Sequence, residues 1–252
     1  MRRLWRAMVE FEMIAPGDRI LVGFSGGKDS AFLLYALNVI RQHGPIPFDL
    51  GAVTIDLGFE MPLDVGPIEA YCRRLSVPFL FDATRIGEAA LSNENKENPC
   101  ALCSHLRRGA INNLARAHGY NKVALAHHHD DAVETFLMSI FYSGQIQTFM
   151  PKIYLTRSGI TTIRPLVYFR EYEIKKAAGL TGFDPIPNPC PVSERNKRKE
   201  IKALIREMAR QDRTIYRKLA AAIRRDAVKE LWPPLPTRSE LAEKHRMIFH
   251  RK

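Results

Sequence analysis

Six residues, Ser25-Gly26-Gly27-Lys28-Asp29-Ser30, combine two glycines, two hydroxyls, a cation and a carboxylate. Glycines let backbone N–H groups approach a ligand closely, and a helix starting here adds unpaired amides carrying roughly half a positive charge. Phosphate is the fitting occupant, with Lys28 and the Ser25 and Ser30 hydroxyls completing the cradle. A Walker loop would need glycine at 22 and Ser or Thr at 29, where Val22 and Asp29 stand, and no G-x-G-x-x-G occurs. The competing reading is a plain strand–turn–helix with glycines for tightness.

Cysteine offers a second chemistry. Of the four, Cys72 sits at apolar helical spacing and reads as a small core residue. Cys100-x-x-Cys103 could be a redox pair, half a zinc site or part of an iron–sulfur cluster. Cys190 lies between prolines, where no regular element turns it inward. Three thiolates suit a cluster with one open iron or a zinc with one open position. Four cysteines in 252 residues are too few for a disulfide scaffold and point to a reducing compartment.

The stretch from His127 to Glu134 is the third candidate. Adjacent side chains at a strand end face opposite ways, which disfavours direct metal ligation by His127, His128 and His129. Asp130 or Asp131 would hold Mg²⁺ or orient phosphates, and at least one of them would cap the helix predicted over 131–142. His127, closest to the sheet, would line the nucleotide pocket.

The elements needed to position these groups are legible. Apolar runs at 19–24, 48–56, 78–82 and 122–126 read as strands, and 148–166 as a short extended pair around Arg157-Ser158-Gly159. Helical spacing appears over 2–14, 29–41, 65–76, 101–118, 131–142 and 170–179, while 83–99 reads as polar and turn-prone. Strands alternating with helices predict an α/β doubly wound parallel sheet of about five strands. In such sheets ligands bind beyond the strands' carboxyl ends, where the first loop and Asp56 would lie. The domain division expected is an N-terminal helix (1–18), a catalytic domain (19–194) and a basic helical C-terminal region (195–252), with a break at Trp232–Pro236.

The net charge of +11 is local: residues 195–252 hold 18 Lys+Arg against 7 Asp+Glu, and residues 1–194 balance at 20 each. Such a run often only keeps a helix soluble. Its density on one predicted helix, through Arg195, Lys197, Arg198, Lys199, Lys202 and Arg206, instead suggests a footprint for a polyanion, and RNA suits it better than a membrane. No run of eighteen apolar residues occurs, and Glu10 and Glu12 interrupt the basic start, so neither a membrane span nor a secretory signal is expected. The expected location is the cytoplasm.

Residues 25–30 resemble the SGGxDS loop of the PP-loop ATP pyrophosphatases, an adenine nucleotide α-hydrolase-like fold. Taken with Pro99-Cys-Ala-Leu-Cys103-Ser-His-Leu-Arg-Arg-Gly109, His127–Thr135, Ile163-Arg-Pro-Leu166 and Pro189-Cys190, the chain resembles the TtcA family of tRNA 2-thiocytidine synthetases over about residues 20–210. That resemblance implies an ATP-dependent tRNA thiolase that adenylates a base carbonyl oxygen, cytidine O2 in an anticodon loop, and replaces it with sulfur. It implies a [4Fe–4S] cluster on Cys100, Cys103 and Cys190, with ATP and Mg²⁺. The ATP site would comprise Gly23, Phe24, Ser25, Gly26, Gly27, Lys28, Asp29, Ser30, Thr54, Asp56 and His127, and the catalytic residues Asp29, Arg107 and Asp131. Arg107 has a solvated helix face as its competing role. Expected partners are tRNA, a sulfur donor (cysteine desulfurase or free sulfide) and a second copy in a homodimer, with helix 2–14 as candidate interface. Thiolation of uridine, lysidine-type amine transfer and a non-RNA PP-loop ligase are the alternatives.

Overall fold

The structure is a computed structural model that describes residues 2–92, 99–192, 197–224 and 237–249. Its centre is a six-stranded sheet in the order β3-β2-β1-β4-β6-β5. The strands are β1 (Arg19–Gly23), β2 (Asp49–Asp56), β3 (Phe79–Ala83), β4 (Lys122–Ala124), β5 (Lys152–Leu155) and β6 (Ile160–Ile163). All neighbours pair in parallel except β5, which runs antiparallel to β6 at one edge. Strand count is therefore one above expectation. The extra strand is the outer half of the 152–163 hairpin, whose Ile153 and Tyr154 stay exposed.

Helices cover both faces: α1 (Arg2–Glu10), α2 (Lys28–His43), α3 (Gly66–Arg74), α4 (Ile86–Leu91), α5 (Pro99–Ala117), α6 (His129–Ser143) and α7 (Glu171–Ala177), the last continuing into a 3₁₀ turn. After them come α8 (Lys197–Gln211), α9 (Ile215–Ala222) and α10 (Arg238–Phe249). The strand pleat sends alternate side chains to opposite faces. Ile20 and Val22 of β1, with Leu50 and Ala52 of β2, join a core beneath α1, α2 and α3. Leu21, Val53 and Ile55 instead pack with Ile111 and Ala115 of α5. Burial on both faces is why β1 and β2 are continuous apolar runs.

Two segments depart from the sequence reading. Residues 86–91 form α4, where only turns were expected; Phe59 lies so close to Gly87 that a β-carbon there would stand 2.6 Å from its ring. The helix predicted from residue 101 begins at Pro99, whose fixed φ and missing N–H suit a first helical position. In the N-terminal helix, Leu4, Ala7 and Met8 are buried in the main core, so its apolar face is used within the chain. Val133, Phe136 and Leu137 of α6 form a third cluster with Ile201 and Ile205, which docks the basic helix α8 onto the sheet domain. The break at Trp232–Pro236 lies outside the described residues. Among those described, no helix is long and apolar enough to cross a membrane.

Candidate active site

Strand order reverses between β1 and β4, which places a crevice outside their carboxyl ends. The loops leaving these two strands are residues 24–27 and 125–128. Both help line one cavity of about 480 Å³.

The first loop is held by its own serines. Ser30 Oγ donates to the Gly27 carbonyl at 2.9 Å and accepts from the Ser25 N–H at 3.2 Å, and the two hydroxyls stand 3.2 Å apart. Gly27 is the N-cap of α2 and provides no side chain to cap it, so the first amides of a sixteen-residue helix stay open toward the cavity. Gly26 has φ +74°, and a β-carbon there would lie 2.4 Å from Ile186 Cγ1, so only glycine fits. Ser25, Gly27, Asp29 and Ser30 line the cavity. Asp29 Oδ1 is buried without a hydrogen-bond partner, an orphaned carboxylate oxygen of the kind a cation would satisfy.

Lys28 is turned aside. Its Nζ lies 2.8 Å from Asp29 Oδ2 and 3.5 Å from Glu171 Oε1, and the residue is not among those lining the cavity. Burial works to lower its pKa, but the two carboxylates prevail and raise it.

Opposite the loop, α5 presents Cys100, Cys103 and Arg107, and the segment before α8 presents Cys190. Asn188 Oδ1 accepts from the Cys190 N–H at 3.1 Å and fixes that turn. Burial pushes the Cys103 thiol up, Arg107 opposes it, and Cys190 and Cys100 push it further up. Burial lowers the Arg107 pKa, with the Cys103 sulfur acting against it. Cys72 is enclosed in the core with its thiol pushed up to about 12, as a packing residue should be. Among the described residues no set of three His, Cys, Asp or Glu converges tightly enough for a single metal ion. Cys100, Cys103 and Cys190 line one cavity, and thiolate is the donor type that holds iron–sulfur clusters.

His127 lines the same cavity. Burial, then the charges of Arg164, Arg198 and Arg108, drive its pKa down to about 3, so the ring is neutral. Its Nδ1 accepts from Arg164 Nε at 3.3 Å. Asp131 completes a capping box with His128: its Oδ2 accepts the His128 N–H at 2.9 Å, and its own N–H reaches His128 Nδ1 at 3.4 Å. Its Oδ1 faces Arg198 at 3.1 Å. Asp130 is buried and committed to Arg170 and the Glu171 N–H. Both aspartates thus have structural partners, and Asp131 is the one that also lines the cavity.

Several proposed ATP-site residues stand behind the cavity wall. Phe24 is buried among Tyr71 and Phe183. The Thr54 hydroxyl donates to the Phe24 carbonyl at 2.7 Å and so supports the loop from beneath. Asp56 Oδ1 accepts the Gly58 N–H at 3.0 Å, and Gly23 reaches the cavity as the last residue of β1.

The basic helix divides into two faces. Arg198 lines the cavity and binds Asp131, Glu134 and Thr135, while Lys202 lies 2.6 Å from Glu171. Lys197, Lys199 and Arg206 are exposed, Lys197 lying 3.1 Å from Glu200. Arg195 lies outside the described residues. Glu134, buried beside Arg198, has its pKa raised by burial to about 7, against the pull of Arg198. Sequence reasoning assigned no role to Arg108, Arg164 or Glu171. The available signal for Arg164 was its place directly after a strand, in the Ile163–Leu166 motif.

Residues 2–208 match the PP-loop domain family. The tRNA-cytidine(32) 2-sulfurtransferase of Geobacter metallireducens is 37% identical over 225 residues, spanning 86% of this chain and 86% of that protein. The enzyme of the same name from Xanthomonas axonopodis pv. citri is 37% identical over 225 residues, spanning 88% and 73%. Among solved structures, the U34-tRNA thiolase NcsA from Methanococcus maripaludis with its [4Fe–4S] cluster superposes with a TM-score of 0.74 at 18% identity, covering 91% of this chain and 79% of that one. At that identity the likeness is one of fold.

Proposed function

This chain belongs to the PP-loop family, among the tRNA-cytidine(32) 2-sulfurtransferases, and from that premise we propose that it uses ATP to exchange the 2-oxygen of a tRNA cytidine for sulfur. One observation carries the reading: the phosphate-type loop and the three cysteines open onto the same cavity. A base carbonyl oxygen is a poor leaving group. Attack of that oxygen on the α-phosphorus of ATP expels pyrophosphate, and the carbon can then exchange AMP for sulfur.

The residues divide this work. The open amides of Gly27 and α2, with the serine hydroxyls, would hold the phosphates. Asp29, through its unpartnered Oδ1, would hold a magnesium ion, whose charge offsets that of the phosphates. Asp131 would join it only on exchanging Arg198 for the ion. Cys100, Cys103 and Cys190 would hold a [4Fe–4S] cluster, which when bound supplies a sulfur-carrying iron that no protein thiolate occupies. Arg107, beside Cys103, would meet the substrate's negative charge. Neutral His127 would line the nucleotide pocket without titrating near neutral pH.

A single-stranded anticodon loop suits such a cavity because its bases can be splayed out. Lys197, Lys199, Arg206 and Arg195 would meet the RNA backbone, with Arg198 and Lys202 acting from the inner face. A sulfur donor, homodimer assembly and a cytoplasmic location belong to the same proposal. Because the apolar face of α1 is buried, a dimer would form through another surface.

Mass spectrometry of nucleosides from tRNA of cells with and without this protein tests the reading directly. Loss of 2-thiocytidine on deletion is expected; an unchanged thionucleoside profile would refute it.

A further inference from the structure

A line of alternating charges runs from the phosphate-type loop to the basic helix. Asp29 Oδ2 lies 2.8 Å from Lys28 Nζ, Lys28 Nζ lies 3.5 Å from Glu171 Oε1, and Glu171 Oε2 lies 2.6 Å from Lys202 Nζ on α8. The links are largely sheltered, with side-chain exposures of 29%, 25%, 16% and 25% along the series. Lys175 adds a third cation at 3.5 Å from Glu171 Oε1. Burial would raise the Glu171 pKa, but Lys202 above all, then Lys28 and Lys175, holds it down at about 2, so the carboxylate is charged. Its backbone N–H is anchored on Asp130, which fixes the carboxylate at the start of α7.

Lys28 is the residue whose position makes this line consequential. Its neighbours Gly27 and Asp29 line the cavity and Lys28 does not, because two carboxylates hold its ammonium elsewhere. We infer that Glu171 is a positioning residue that restrains Lys28 outside the cavity, so that nucleotide phosphates must win the lysine from it, with Lys202 of α8 weakening the restraint by sharing the carboxylate. Glu171 touches no substrate in this scheme and acts through Lys28. The inference rests on the proposed binding of ATP at residues 25–30.

The sign of the effect separates this role from simple structural support. A supporting residue, once removed, weakens ATP binding. A restraint, once removed, tightens it. Glu171→Gln is expected to lower the ATP Kd by about two- to fivefold, the scale of one partly sheltered ion pair. The gain must act through the lysine, so it is expected to vanish in a Lys28→Met background, whereas a general charge effect of Glu171 would persist there. Lys202→Met is expected to raise the Kd, and to do nothing once Glu171 is Gln.

The experiment is calorimetric titration of ATP with Mg²⁺, without tRNA, into the full-length wild type, Glu171→Gln, Lys28→Met and the double variant, each checked for a cooperative thermal transition. Tighter binding in Glu171→Gln alone supports the inference. Weaker or unchanged binding, or an equal gain in the Lys28→Met background, overturns it and leaves the proposed function standing. Should Glu171→Gln fail to fold, Glu171→Asp keeps the charge but withdraws it by one methylene, and tighter ATP binding is again the supporting result, weaker or equal binding the contrary one. Wild type that binds no ATP would instead defeat the functional reading itself.

Discussion

The Gly26 carbonyl accepts a hydrogen bond from the Ile186 N–H at 3.0 Å, and the Ile186 side chain fills the space where a β-carbon on Gly26 would stand. Through this contact the loop at residues 25–30 and the segment carrying Cys190 are packed as one unit. Gly26→Ala is therefore expected to harm both halves of the site. The left-handed φ and the 2.4 Å approach together cost on the order of 1–3 kcal/mol. A thermal midpoint lower by several degrees, with reduced iron content after anaerobic purification, is the expected result.

Cys190→Ser separates the two halves. It removes one of three thiols while leaving the serine and glycine contacts of the loop in place. Bound iron and thionucleoside formation should be lost, with ATP affinity kept within about twofold, since the Ile186–Gly26 contact and the loop's own hydrogen bonds remain. Parallel iron assay and ATP titration measure this, and a matching loss of ATP binding would contradict it.

Activation has its own assay. Asp29→Ala removes the unpartnered oxygen from the cavity and one of the two carboxylate partners of Lys28. tRNA-dependent ATP–pyrophosphate exchange should fall by about 10²-fold or more, as for loss of a preorganised charge contact.

Glu134 gives stability a pH dependence of defined sign. Its folded pKa of about 7 lies above the ordinary glutamate value of 4.5, so between those values the folded chain binds the extra proton. Stability from this group is full below about 4.5, declines as pH rises and is lost above about 7. The amplitude is a few kcal/mol at most. Glu134→Gln should flatten this part of the profile and raise the thermal midpoint at pH 8; an unchanged profile from pH 5 to 8 would be the contrary result.

The two faces of α8 should behave differently. Arg206→Ala, on the exposed face, should weaken tRNA binding evenly and lower the salt slope by about 0.7–0.9. Arg198→Ala should lower the thermal midpoint, because it strips the cation from buried Glu134. Filter binding over a salt series and thermal melts distinguish them.

Much of this was legible in residue order. The turn at 25–30 and strands β1 and β2 announce themselves because a strand buried on both faces is an apolar run and the left-handed, closely packed position at Gly26 demands glycine. Helix α4 was hidden, since its six residues hold Gly87 and make less than two turns, and its place depends on Phe59 from another segment. The inward face of α8 was half visible: Arg198, Ile201, Lys202 and Ile205 follow helical i, i+3, i+4, i+7 spacing, so the apolar pair marks which charges face the protein. What Arg198 and Lys202 would meet there could not be read, because Asp131, Glu134 and Glu171 are brought to α8 only by the docking of Ile201 and Ile205 on α6.

The late position of Cys190 and Arg198 along the chain bears on its biosynthesis. A nascent polypeptide released from the ribosome only through α6 already carries residues 25–30, Cys100 and Cys103, but lacks Cys190 and the wall that Arg198 of α8 provides. It also lacks Ile186, which packs on Gly26, so on the proposed assignment neither half of the site is complete at that stage. Completion of the proposed site is thereby deferred until the chain has been made through α8.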